Sequence, residues 1–154
     1  MQFTIREARG EEALQLSKIA IAAKQHWNYP AAWFELWGNM FDVTPQFIED
    51  NYVWVTTNND GILAFIAISV TEQTAELEHL WVKPEYMQRG IGGQLLKHAI
   101  YFCEQQTVTT LRIESDPNAQ GFYEKFGAKH IGEVQSIPSH RRLPLLMIEI
   151  QPFL

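Results

Sequence analysis

Three glycines stand close together where an extended segment passes into a predicted helix. They occupy positions 90, 92 and 93, and the first of them directly follows Arg89. Glycine allows backbone N–H groups to approach a ligand closely, and the N–H groups at a helix N-terminus lack intrahelical acceptors and carry a partial positive charge. A phosphate or pyrophosphate group is the ligand that such a cradle favours. The residues predicted to form it are Gln88, Arg89, Gly90, Ile91, Gly92 and Gly93.

Two common phosphate-binding loops fit this segment poorly. A P-loop ends in Gly-Lys-Ser/Thr, where this chain has Gly93-Gln94-Leu95, so phosphoryl transfer is disfavoured. A dinucleotide-binding loop needs a further glycine, at the position of Leu95, and a tight turn directly after a strand. Here a longer approach, residues 83–89, precedes the glycines. The remaining alternative is that the glycines only let the helix pack closely against a sheet.

Two segments carry a resemblance to a known family. Residues 80–96, with Gly90 and Gly92 at the two small positions of the loop, resemble the acetyl-CoA-binding signature of the GNAT superfamily of N-acetyltransferases. Met87 departs from the pattern, because the family has Gln or Arg there. Residues 116–128 resemble the second cofactor motif of the family, which ends in Tyr-x-x-x-Gly. Residues 26–30 and 141–146 further resemble a bacterial subgroup of the family, a likeness that names no acceptor.

The resemblance implies transfer of an acetyl group from acetyl-CoA, as co-substrate, to a primary amine of a small molecule, peptide or protein, by direct attack in a ternary complex. It implies that backbone N–H groups of Leu80, Trp81 and Val82 stabilise the oxyanion and that Tyr123 is the acid for the leaving thiolate. Asn118 is expected to bind the pantetheine arm. The alternative from another class is a non-catalytic, regulatory acyl-CoA-binding module.

An amine must lose a proton before it attacks, since an alkylammonium has a pKa of about 10.4. Glu76 and Glu78 lie two residues apart on a predicted strand and so share one face, where either could act as general base. His79 is the third candidate. The competing interpretation is that both glutamates belong to the solvated face of the strand.

An aromatic stretch is the predicted acceptor pocket. Trp27, Tyr29 and Trp33 could enclose a hydrophobic or cationic amine, and Arg141, in a segment that begins at His140, could bind an acceptor carboxylate. The aromatic residues could equally belong to the core or to a homodimer interface.

The elements that must position these residues alternate along the chain. Strands are predicted over residues 2–8, 52–57, 62–70, 75–82, 110–115, 129–136 and 142–150, and helices over 11–27, 31–40, 90–106 and 119–126, with a short helix capped at Thr44. We expect an α/β (α+β) fold in a single domain, residues 1–154. The resemblance refines this to a GNAT-like mixed, twisted central sheet of about six to seven strands, flanked by helices, with splayed central strands.

Composition narrows the classes of function. With 154 residues, 46% of them hydrophobic, and a formal charge of −6, the chain is typical of a globular protein and atypical of a nucleic-acid binder. The longest apolar run is too short to span a bilayer. The single cysteine, Cys103, and the absence of a signal-peptide pattern favour the cytoplasm. The five histidines show no metal-binding spacing, so no metal is expected.

Overall fold

The computed structural model describes residues 2–138 and 141–153. In that part of the chain the strands are β1 (Thr4–Glu7), β2 (Tyr52–Asn58), β3 (Gly61–Thr71), β4 (Thr74–Val82), β5 (Thr110–Glu114), β6 (Lys129–Ser136) and β7 (Arg141–Glu149). The helices are α1 (Ala13–Gln25), α2 (Ala31–Trp37), α3 (Pro45–Asp50), α4 (Ile91–Glu104) and α5 (Gln120–Glu124). Turns of 3-10 helix precede α1 and α5 and follow β4. Every predicted strand and helix is confirmed, with ends that differ by a few residues.

The strands form one seven-stranded sheet in the order β1-β2-β3-β4-β5-β7-β6. β1, β2 and β3 are antiparallel neighbours, β4 and β5 are parallel, and β7 is antiparallel to both β5 and β6. The predicted mixed sheet flanked by helices is therefore confirmed. The pairing of β4 with β5 covers only three positions, from Thr74–Thr110 to Glu76–Arg112, although both strands continue further.

Contacts divide the chain into two compact units. The first comprises residues 1–68 and 78–99, and the second comprises residues 69–77 and 100–154, so that β3, β4 and α4 contribute to both. In the first unit, buried residues of α1 such as Leu16 and Ile19 pack with Val55 of β2 and Phe65 of β3. In the second unit, alternate residues of β5 and β7, such as Leu111 and Leu146, are fully buried.

Local sequence signals explain the element boundaries in the first unit. The Thr44 side chain accepts a hydrogen bond from the N–H of Phe47 at 3.0 Å, as expected of an N-cap. In the β2–β3 turn, Asn58 Oδ1 accepts from the N–H of Asp60 at 2.7 Å, and Gly61 adopts φ +106°, which favours glycine. These side-chain and backbone preferences act within a few residues, so the sequence predicts them well.

None of the helices within residues 2–138 and 141–153 is long and apolar enough to cross a membrane.

Candidate active site

The segment predicted to form an anion cradle leads into the N-terminus of α4. Gln88 and Gly90 adopt left-handed conformations, with φ +64° and +81°, directly before α4 begins at Ile91. The N–H of Gln94 donates to the carbonyl of Gly90 at 3.1 Å, which is the first intrahelical bond. The N–H groups that precede it in the helix, including those of Gly92 and Gly93, have no intrahelical acceptor. A Cβ added at Gly90 would meet no atom within 4 Å, so the space beside the loop is open.

Contacts outside the glycine motif hold the preceding turn in place. The Tyr86 hydroxyl donates a hydrogen bond to Asp60 Oδ2 at 2.6 Å, and this bond raises the pKa of Tyr86. The Arg89 guanidinium lies 5.1 Å from the centre of the Tyr86 ring. The sequence did not predict the contact between Asp60 and Tyr86, because the pattern around Asp60 indicates only a turn and Tyr86 lies 26 residues away.

On β4, the three residues expected to offer backbone N–H groups, Leu80, Trp81 and Val82, are half-buried. The indole N–H of Trp81 donates to His79 Nδ1 at 2.9 Å, so the acceptor nitrogen of His79 is occupied. Burial lowers the pKa of His79 to about 4. His79 is therefore neutral near pH 7 with its proton on Nε2, and the geometry disfavours it as a general base.

The two glutamates on β4 differ in their surroundings. Arg112 Nη1 donates a hydrogen bond to Glu76 Oε1 at 2.5 Å, so one oxygen of that carboxylate is engaged, and the pairing raises the pKa of Arg112. Glu78 is exposed. Their assignment as general base stays a prediction.

Tyr123 lies on α5 and is almost fully buried. Burial, followed by the nearby charge of Asp116, raises the pKa of Tyr123, so its hydroxyl keeps its proton at neutral pH. Asp116 Oδ1 accepts from the N–H of Asn118 at 2.8 Å, while Asp116 Oδ2 lies 3.7 Å from Arg141 Nη2. Asn118 itself is exposed. The second unit thus brings Tyr123, Asp116 and Arg141 together.

The aromatic residues predicted to surround an acceptor form a cluster in the first unit. Tyr29 stacks on Trp33 with ring centres 5.5 Å apart and meets the edge of Trp37 at 5.6 Å. The ammonium of Lys24 lies 4.6 Å above the Tyr29 ring and 5.0 Å above the Trp37 ring, and Lys24 is buried. A cation is therefore already present at these rings. Lys24 lies four residues after Ala20 on the buried stripe of α1, and this spacing is the sequence signal that could have predicted its burial.

The rest of the predicted acceptor pocket is less enclosed. Trp27 is 43% exposed and contacts His26 edge-on at 5.1 Å. A cavity of about 250 Å³ is lined by Gln25, Asn28, Tyr29, Ala31 and Phe34. His140 lies outside the described residues. A role for Trp27, Tyr29, Trp33 or Arg141 in acceptor binding stays a prediction.

Two other kinds of site are a thiolate nucleophile at Cys103 and a metal centre. Cys103 is fully buried, and burial raises the pKa of its thiol to about 11, so it is not a thiolate at neutral pH. In the described part of the chain, no group of three or more His, Cys, Asp or Glu residues is arranged to hold a metal ion.

Comparison with known proteins supplies independent information. The family model described as "Acetyltransferase (GNAT) domain" matches residues 22–137. The chain is 35% identical to the ribosomal protein bS18-alanine N-acetyltransferase of Escherichia coli over 74 residues, which make up 46% of this chain and 50% of that protein. It is 27% identical to the peptidyl-lysine N-acetyltransferase YjaB of Salmonella typhimurium over 150 residues, or 95% of this chain and 97% of that protein.

Among solved structures, the PaiA N-acetyltransferase of Thermoplasma acidophilum in complex with coenzyme A has a TM-score of 0.78 at 20% identity, covering 97% of this chain and 99% of that one. At that identity the likeness shows the fold alone. The chain spans about half the length of the E. coli relative. The family model nevertheless covers most of the chain, from residue 22 to residue 137, and the chain therefore belongs to the GNAT acetyltransferase family.

Proposed function

We propose that this chain is an N-acetyltransferase that transfers an acetyl group from acetyl-CoA to a primary amine of a peptide or protein. The observation that carries the proposal is the backbone of residues 88–93, in which left-handed Gln88 and Gly90 lead into the N-terminus of α4. Unpaired N–H groups at that position suit the pyrophosphate of coenzyme A. The names of the relatives, both N-acetyltransferases, support the same reaction.

The residues present fit acetyl-CoA, which supplies the activated acetyl group when bound. The open space beside Gly90 leaves room for a phosphate against the backbone, and Arg89 adds a positive charge nearby. Asn118 would hydrogen-bond the amides of the pantetheine arm. Backbone N–H groups of β4 at Leu80, Trp81 and Val82 would stabilise negative charge on the acyl oxygen.

Two proton transfers complete the mechanism. Glu78, or Glu76 through its second oxygen, would remove a proton from the acceptor ammonium, directly or through one water. Tyr123 holds a proton on its hydroxyl, because burial keeps its pKa raised, and would donate it to the departing sulfur. Attack by the amine is direct, because the buried Cys103 thiol is unsuited to carry the acetyl group.

The acceptor is proposed from the relatives and from the aromatic residues. One relative is named for a ribosomal protein alanine and the other for peptidyl lysine, so we infer a peptide or protein amino group as the acceptor. Trp27, Tyr29 and Trp33 would line its binding site, although an interface between two copies of the chain stays the alternative. An intracellular protein acceptor would place the chain in the cytoplasm.

Thermal unfolding with acetyl-CoA, coenzyme A and NAD tests the binding half of the proposal. A ligand present at 100 times its Kd adds about 2.7 kcal/mol to the free energy of unfolding, which raises Tm by roughly 5–10 °C for a chain of this size. We expect this rise with acetyl-CoA and coenzyme A and none with NAD. Gly92→Glu should abolish it by repelling phosphate, whereas Gly132→Glu, on β6, should retain it.

Release of coenzyme A in the presence of peptides tests the catalytic half. Peptides with a free N-terminal alanine and peptides with an internal lysine are compared, each beside its acetylated form as control. Turnover with either free amine supports the proposal. Coenzyme A binding without turnover on any peptide would favour the non-catalytic acyl-CoA-binding module, and no binding at all would refute the proposal.

A further inference from the structure

A largely buried ion pair links the start of β7 to the turn before α5. Arg141 Nη2 lies 3.7 Å from Asp116 Oδ2, and the two side chains are only 12% and 13% exposed. Removing a charged side chain from water is costly unless an opposite charge lies beside it. Each charge therefore offsets part of the cost of removing the other from water.

The same carboxylate organises the turn of Pro117–Ala119. Asp116 Oδ1 accepts from the N–H of Asn118 at 2.8 Å, and the Asp116 carbonyl accepts from the N–H of Ala119 at 2.9 Å. The Ser115 hydroxyl donates to that carbonyl at 2.7 Å. Asp116 thus fixes the backbone that carries Asn118, and the Arg141 guanidinium lies beside the Asp116 carboxylate.

The charge of Asp116 also reaches the proposed acid. It is the second cause, after burial, of the raised pKa of Tyr123. Arg141, whose Nη2 lies 3.7 Å from Asp116 Oδ2, carries the opposite charge. The three residues therefore form one electrostatic group, whose members come from β7, from the turn before α5 and from α5 itself.

We propose that Arg141 is a positioning residue for the acetyl-CoA site: through Asp116 it holds the turn that presents Asn118 to the pantetheine arm. This differs from the role that the sequence predicted for Arg141, binding of an acceptor carboxylate. The proposal rests on acetyl-CoA as the ligand of the proposed function. The two roles predict different effects of replacing Arg141. If Arg141 positions the turn, its loss weakens coenzyme A binding, whereas if Arg141 binds only the acceptor, the affinity for coenzyme A is unchanged.

Calorimetric titration of the full chain with coenzyme A needs no acceptor and tests the proposal. We expect Arg141→Gln to weaken the affinity for coenzyme A about tenfold, which corresponds to a loss of about 1.4 kcal/mol of binding free energy. Arg141→Lys keeps the charge and should restore most of the affinity, to within about threefold of wild type. The matched control is Arg142→Gln, since Arg142 is the exposed neighbour on β7, and it should bind like wild type.

A double-mutant cycle separates positioning from a general loss of packing. Asp116→Asn keeps the oxygen that caps Asn118 but removes the charge, and we expect it to weaken coenzyme A binding about as much as Arg141→Gln. The double variant should then bind no worse than either single variant, because both changes break one interaction. Thermal unfolding without ligand shows whether each variant is folded.

The outcomes are distinct. Failure of the wild-type chain to bind coenzyme A refutes the proposed function itself. Wild-type binding with unchanged affinity in Arg141→Gln, or additive losses in the double variant, overturns the positioning role while leaving the function intact. If Arg141→Gln does not fold, Arg141→Lys and Asp116→Asn decide: unchanged affinity in Asp116→Asn overturns the role, and a loss there with near-wild-type binding by Arg141→Lys supports it.

Discussion

The neutral, buried imidazole of His79 makes the stability of this chain depend on pH in a defined direction. Burial lowers the pKa of His79 from 6.5 to about 4. Above pH 6.5 the residue is neutral in both the folded and the unfolded chain. Below pH 6.5 the unfolded chain binds the proton first, so the free energy of unfolding falls until the pH reaches about 4. At about 1.4 kcal/mol per pH unit, the total loss from this residue is about 3 kcal/mol.

The hydrogen bond from Trp81 adds a physical reason for the same direction. His79 Nδ1 accepts the indole N–H at 2.9 Å, and an imidazolium has no lone pair to accept it. The ring also contacts Phe47 and Phe65, with centres 5.5 and 5.6 Å away. Protonation therefore both charges a desolvated group and leaves a donor without its acceptor.

Urea unfolding followed by tryptophan fluorescence at pH 7.5, 6.0, 5.0 and 4.5 measures the effect. His79→Gln keeps a polar acceptor but cannot titrate. Between pH 7.5 and 4.5 its free energy of unfolding should therefore fall less than that of wild type, by most of the expected ~3 kcal/mol. At pH 7.5 it should be less stable by about 1–3 kcal/mol, because the ring contacts are lost. His130→Gln, at an exposed position on β6, is the control and should follow wild type.

Either of two results would refute the reasoning. If wild type and His79→Gln lose stability in parallel between pH 7.5 and 4.5, the folded chain does not exclude the proton from His79, and its assignment as a neutral residue fails. A His79 ring that titrates near pH 6.5 by NMR would lead to the same conclusion.

Three further changes test the cradle, the acid and the core. Gly90→Ala places a side chain at φ +81° and should cost about 1 kcal/mol and weaken coenzyme A binding, measured by urea unfolding and calorimetry, whereas Gly132→Ala should do neither. Tyr123→Phe should lower kcat at least about tenfold with an unchanged Kd for acetyl-CoA, and unchanged turnover would remove Tyr123 from the mechanism. Ser17→Ala should cost about 1–3 kcal/mol in urea unfolding, because the buried hydroxyl accepts from the N–H of Val43 at 2.7 Å, and a smaller loss would mean that water replaces it.

The sequence predicts the elements of this fold better than their arrangement. Hydrophobic periodicity and local signals such as the Thr44 cap locate each strand and helix, because the interactions that form them are short-range. The placement of β7 between β5 and β6 depends on pairing between segments distant in the chain. No local pattern encodes that order, so only the structure shows it.

The same distinction applies to the site. The glycines at 90, 92 and 93 predict a cradle because the proposed phosphate ligand would contact only the backbone of six consecutive residues. Side-chain partners could not be predicted, since Glu76 pairs with Arg112 and Asp116 with Arg141 across large separations in the sequence. The Glu76 pairing in particular distinguishes two glutamates that are equivalent in the sequence pattern.

Met87 stands where the family pattern has Gln or Arg. This difference changes a side chain, whereas the proposed cradle consists of backbone N–H groups. A non-glycine residue such as Gln88 at φ +64° is strained by about 1 kcal/mol or more, so the loop keeps this form only if neighbouring contacts enforce it. The Tyr86 hydroxyl is bonded to Asp60, and the N–H of Met87 itself donates to the carbonyl of Pro84 at 3.2 Å. Because these contacts hold the turn through the backbone and Tyr86, the side chain at position 87 can change while the N–H groups proposed to bind the pyrophosphate keep their positions.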